Sequence, residues 1–110
     1  MAALTVETSS RSGLTPTHNA CDAGGDEFVN DGGVMVLVTN GGASERTVTI
    51  VSQETVDGLA VADRTVAVPA GEERLIGPFP VSTYNDANSK VQLTYDAVTS
   101  LTIAVIKRGT

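Results

Sequence analysis

From Val34 onward the chain is written in short runs of β-branched residues, broken by turn residues roughly every 8–15 positions, and this punctuation more than anything else limits the fold. "RTVTIVS" alternates, with Val48 and Ile50 on one face and Thr47 and Thr49 on the other. "GLAVADRTVAV" sets Val66 and Val68 against Thr65 and Ala67, and "KVQLTYD" sets Val91, Leu93 and Tyr95 against Gln92, Thr94 and Asp96. "SLTIAVIK" does the same with Leu101, Ile103 and Val105. A period of two places alternate side chains on opposite faces of a sheet. "VMVLVTN" is different: its unbroken apolar run predicts a central strand covered on both faces, ended by Asn40-Gly41-Gly42. No stretch carries a helical stripe, and only Val81–Asn85, just after Pro80, offers one helical turn. About six or seven strands without crossover helices predict an all-β fold, a single antiparallel β-sandwich of immunoglobulin-like or jelly-roll-like type.

At 110 residues the chain suits one domain. Aromatics make up only 4%, and Trp is absent, so the core is expected to be thin and aliphatic. Residues 1–30 read differently from the rest. After Leu4 and Val6, "TSSRSGLTPTHNACDAGGDEFVNDGG" has little to bury, which predicts an extended N-terminal arm and loops over 1–30, with one short strand at Glu27–Asn30, and the sandwich proper over 31–110.

The run "VPAGEERLIGPFP" is the most distinctive in the chain. Pro69 and Gly71 have the geometry of a turn, which predicts a hairpin between the strand ending at Val68 and the strand holding Leu75. Gly77-Pro78-Phe79-Pro80 ends that second strand, because proline cannot donate to a ladder. Phe79 is expected to plug one end of the sandwich.

Charge and side-chain chemistry exclude several functions. A net charge of −6 opposes binding to nucleic acid, which needs clustered cations, and docking on an anionic membrane. One cysteine, Cys21, permits no intramolecular disulfide. The first residues lack the basic and apolar regions of a signal peptide, so synthesis in a cytoplasm is expected. His18 and Cys21 stand in an H-x-x-C spacing beside Asp22, but no second His or Cys completes a zinc set. As a nucleophile and base the pair lacks a positioning scaffold and oxyanion donors. Asp22, Asp26, Glu27 and Asp31 offer oxygens for calcium, yet their spacing departs from the calcium-loop pattern, and a solvated or partner-facing loop is the better reading. Glu72 and Glu73, next to Arg74, point to opposite faces of a strand and read as solubilising residues. Hence no catalytic, cofactor-binding or metal residue is expected, and the chain reads as a non-enzyme.

The order of these pieces resembles a known group. An arm with "GLTPT", the loop "AGGDEFVNDGG", the strand end "VTNGGAS", then "VPAGEERLIGPFP", "STYNDANSK" and "VQLTYDAVTSLTIAVIK" is similar to small β-sandwich proteins of tailed bacteriophages and prophages, encoded near the major capsid gene. Several of these are capsid decoration, or cement, proteins. The resemblance implies a structural component of the virion that binds the outer surface of the major capsid protein shell. It further implies assembly in the host cytoplasm and a homo-oligomer, a trimer above all, matched to local threefold positions. The alternative is a tail- or neck-associated module that recognises carbohydrate or a host surface. Without Trp, and with only Tyr84 and Tyr95, of which Tyr95 shares the Val91/Leu93 face, a sugar-stacking platform is poorly supplied.

Overall fold

The computed structural model describes residues 1–109 as two β-sheets packed face to face, an all-β sandwich. The first sheet is built from β1 (Ala2–Ala3), β4 (Asp26–Val29), β11 (Lys90–Tyr95), β6 (Arg46–Ile50) and β9 (Arg64–Val68), in that spatial order. The second runs β10 (Glu73–Ile76), β5 (Val34–Asn40), β12 (Leu101–Lys107) and β2 (Glu7–Thr8), with β3 (Asn19–Ala20) also pairing with β12. A small ribbon, β7 (Thr55–Val56) and β8 (Leu59–Ala60), projects between β6 and β9. Its turn, Asp57-Gly58, has positive φ at both residues, the geometry that matches the twist of a two-residue hairpin. One helical turn, α1 (Val81–Tyr84), follows Pro80 as the sequence led us to expect.

The alternating strands settle as their pattern requires. Val48, Ile50, Val91, Leu93, Leu101, Ile103 and Val105 are buried between the layers. β5 corrects the expectation of two covered faces. Val34, Val36 and Val38 are buried, whereas Met35 and Leu37 on the other side are only half-buried. The strand is central within its sheet, between β10 and β12, but only one of its faces meets the other sheet.

The hairpin expected around Pro69-Ala70-Gly71 does not form. β9 pairs with β6 and β10 pairs with β5, so this turn carries the chain across from one sheet to the other. The same holds for most connections of the body: β4 to β5, β5 to β6, β10 to β11 and β11 to β12 all change sheet. Turn residues specify a reversal of direction, and they do so equally well in an arch between layers.

Two buried asparagines hold the ends of the sandwich. At one end Asn40 Nδ2 donates to the carbonyls of Ser44 (2.8 Å) and Val68 (3.0 Å), while its Oδ1 accepts from the Gly42 N–H (3.0 Å). Its backbone also exchanges bonds with Gly71 and Glu72, so the arch is clasped from both sides. At the other end Asn30 Nδ2 donates to the Phe79 carbonyl (3.0 Å) and to Asn85 Oδ1 (2.8 Å), and Asn85 Nδ2 returns a bond to the Asn30 carbonyl (2.9 Å). Phe79 is buried there between Phe28 and Tyr84, with ring centroids 5.7 Å and 5.8 Å away. The distinctive run therefore spans the sandwich from one pinned end to the other.

Residues 1–20, expected as an extended arm, lie against the sandwich. β1 pairs in parallel with β4, and β2 in parallel with β12, so the two sheets are mixed although the body pairs are antiparallel. Between them Leu4 and Val6 pack against the core, closing the flank formed by β4 and β12. The short strand expected at 27–30 is β4, whose Phe28 is buried, and Cys21 is buried as well.

Candidate functional site

β4 is short but chemically loaded, because its inward positions are Asp26 and Phe28. Asp26 is fully buried beside Leu93 of β11. Its Oδ2 accepts the Tyr95 hydroxyl (2.7 Å) and the Asp22 N–H (3.2 Å), while Oδ1 has no partner among the described residues. Burial of a carboxyl group is tolerated only when such bonds replace those of water. Burial first, then the hydrogen bond to Asp26, pushes the Tyr95 phenol far above its ordinary range. The expectation that Tyr95 is a core residue holds for its ring, which packs on the buried cluster.

Cys21 lies in the same neighbourhood. Burial pushes its thiol up from 9.0 to about 11, opposed by the neighbouring Tyr95 hydroxyl and reinforced by the nearby Asp26. A thiol raised in this way is a poor nucleophile at neutral pH. His18 is exposed while Cys21 points inward, so the H-x-x-C pair shares no site.

The four loop acids are scattered by the fold. Asp26 turns inward to Tyr95, Asp22 binds the Gly24 N–H (2.9 Å), Glu27 pairs with Lys90 (3.5 Å) and Asp31 with Lys107 (3.9 Å). Among the described residues no group of three or more His, Cys, Asp or Glu is placed to hold a metal ion. Glu72 pairs with Arg74 (3.0 Å), and Glu73 accepts from the Thr39 hydroxyl (3.3 Å). The structure thus brings together Asp26, Tyr95 and Cys21, a trio the sequence did not single out. The signal available was the placement of Tyr95 on the same face as Val91 and Leu93, which demanded an inward partner for its hydroxyl.

The outer faces of the two sheets differ in composition. Register assigns Thr47, Thr49, Thr65, Thr94, Gln92 and Lys90 to the outside of the first sheet, a mostly polar surface that also carries Ala67 and the exposed Val29. The outside of the second sheet is mixed, with Thr39, Thr102, Glu73 and Glu7 beside an apolar group. Leu37 is flanked by Leu75 on one side and Ala104 on the other, and Met35 by Ile106. Leu75 is 61% exposed. The flank closed by residues 1–20 has its counterpart at β9 and β10, where a groove of about 480 Å³ is left open, lined by Val66, Leu75, Pro78 and Tyr84 with Arg64 and Arg74. Compared with family models, curated proteins and solved structures, the chain returns no match.

Proposed function

We propose that the chain is a structural protein of a tailed-phage particle, a decoration protein that binds the outer surface of the major capsid protein shell and stabilises it. The observation that carries this reading is how the N-terminal segment is held. Residues 1–20 meet the body through three strands of only two residues each, while β5 and β12 pair over seven. Segments with so few ladder bonds open locally at small cost, whereas the pinned sandwich does not. A stiff body with a separable strap suits a protein that must lie on a repeating lattice and reach toward neighbouring subunits. Many modest contacts, multiplied over the lattice, then supply the affinity.

The test is quantitative mass spectrometry of purified particles of the parent phage. Copies of the same order as the major capsid protein are expected. A few copies per particle would assign the chain to a tail, neck or vertex, and absence from the particle would overturn the proposal. Limited trypsin digestion adds the role of the segment. Arg11 sits in an exposed turn between β2 and β3, so cleavage there is expected to be fast in free protein and slow on the particle. Equal rates would refute the strap model.

A further inference from the structure

We propose that Asn40-Gly41 is a site of spontaneous modification held dormant by the fold, at which the amide that clasps the arch cyclises onto its own backbone once that end of the sandwich opens. The inference goes beyond the decoration reading and does not depend on it.

The sequence sets the least hindered neighbour beside the buried amide. In an open chain the backbone nitrogen that follows an asparagine attacks the side-chain carbonyl carbon, and glycine, with no Cβ, leaves both the approach and the backbone freest. Asn19, Asn30, Asn85 and Asn88 are followed by Ala, Asp, Asp and Ser, so Asn40 is the one asparagine with glycine after it. Water is the only co-reactant. The bond from the Gly41 nitrogen to Asn40 Cγ forms, the Cγ–Nδ2 bond breaks, and ammonia leaves with the peptide proton. Water then opens the succinimide at either carbonyl, giving aspartate or its β-linked isomer at this position.

In the folded chain every participant in that step is engaged elsewhere. The Gly41 N–H donates to the Ser100 carbonyl (2.9 Å), so the attacking nitrogen is held to β12's side of the turn with its proton in use. Nδ2, the leaving group, donates to the Ser44 and Val68 carbonyls, and Oδ1 accepts from the Gly42 N–H, which together fix the side chain. Asn40 is fully buried, away from the water that hydrolysis needs. Its backbone pairs with Leu101 and bonds to Gly71 and Glu72 across the arch. Ring closure therefore waits for the clasp to release. Because reclosing is fast against so slow a reaction, the rate follows the population of the open form.

The product cannot re-form the clasp. Aspartate offers no donor to the Ser44 and Val68 carbonyls and carries charge into a buried position. The β-linked isomer adds a carbon to the main chain and breaks the register with Leu101. Openings that run to completion are thus irreversible, and they set a chemical lifetime on the fold.

The experiment incubates the full chain at neutral pH, folded and in urea, and follows Asn40 by peptide-mapping mass spectrometry for the exchange of amide for acid. Conversion is expected to be at least about 100-fold slower in the folded chain, since the bonds of the clasp must be released together. Gly71→Ala strains the arch without touching the dipeptide, because φ is +74° and the added Cβ meets nothing within 4 Å. It is expected to speed conversion of the folded chain about 10-fold and to leave the rate in urea unchanged. Gly41→Ala, whose Cβ would stand 3.5 Å from the Ser100 carbonyl oxygen in ordinary contact, is expected to keep the fold and to slow conversion in urea several-fold. Equal rates for folded and unfolded chain overturn the proposal, as does an Asn40 that stays intact in urea. A folded rate indifferent to Gly71→Ala refutes control by the arch, and converted chain that keeps the native urea midpoint refutes the irreversible step.

Discussion

Replacing Asn40 by alanine tests whether the ends of this sandwich are held by side-chain amides or merely by packing. The native amide makes three bonds: to the buried Val68 carbonyl, to the Ser44 carbonyl and from the Gly42 N–H. A net hydrogen bond contributes about 0.5–1.5 kcal/mol, with the upper value apt for the bond to Val68, where loss also leaves a buried acceptor poorly matched. The other two are partly buried and contribute about 0.5–1 kcal/mol each. Asn40→Ala should therefore cost about 3 kcal/mol. With an unfolding entropy of about 2.1 cal/mol/K per residue, that lowers the Tm by about 13 °C for a chain of this length. The assay is urea denaturation followed by circular dichroism, with the slope m compared between variants so that a change in midpoint can be read as a change in stability. Asn40→Asp keeps the acceptor but loses both donors and buries a charge, so it should be at least as damaging. Thr39→Ala, one residue away on the outer face, should stay within about 0.5 kcal/mol. A loss below about 1 kcal/mol for Asn40→Ala would refute the idea that the amide clasps the arch, and would leave the joint to apolar packing around Val68.

Three further outcomes follow from the buried cluster and its surroundings. Tyr95→Phe removes the hydroxyl bound to Asp26 and leaves that buried carboxyl with the Asp22 N–H as its remaining partner, so a loss of about 1.5–3 kcal/mol is expected by urea denaturation, reduced in Tyr95→Phe/Asp26→Leu. Because burial raises the Cys21 thiol from 9.0 to about 11, the folded chain holds its proton where the unfolded chain has released it; stability is full below pH 9 and falls toward pH 11 by up to about 1.4 kcal/mol per pH unit. The raised Tyr95 phenol adds to that fall at the upper end, and Cys21→Ala should flatten the profile between pH 9 and 11, so that an unchanged slope there would contradict the burial of the thiol. Gly25→Ala should cost about 2–4 kcal/mol in Tm or urea measurements, since φ is +93° and an added Cβ would stand 2.6 Å from the Leu93 carbonyl oxygen.

Strand positions and inward faces were legible in the sequence because a period of two is a local signal. Val48 with Ile50, and Val91 with Leu93, needed no knowledge of partners. Partner choice was not legible. Pro69-Ala70-Gly71 encodes a reversal, and whether the next strand pairs beside its predecessor or crosses to the other layer is decided by β5 and β6, distant in sequence. Residues 1–30 were read as arm and loops because they offer little to bury, and Asp26 was counted among the loop acids; its burial depends on Tyr95, 69 residues later. The Asp57-Gly58 hairpin carried a strong local turn signal that was absorbed into a longer strand reading. Asn40 was read only as a turn residue and Asn30 only as the end of a short strand, since nothing local distinguishes an asparagine that ends a strand from one that bonds across the core.

The apolar run of β5 joins these two kinds of information. Its composition states that both sides of the strand meet apolar surroundings, and the fold supplies one side from the valines facing the first sheet. A chain whose net charge is −6, and whose other outer face is threonine-rich, has ample means to keep a sheet surface polar. Around Leu37 it does so only in part: Thr39, Thr102 and Glu73 share that face with Leu37, Leu75 and Met35. The edge position of Leu75 sharpens the point. An exposed edge strand is ordinarily protected by inward charges or proline, and β10 does carry Arg74 before Gly77-Pro78, but Leu75 faces outward between them. Lysine there would have guarded the edge at no cost to the core, because the side chain does not enter it.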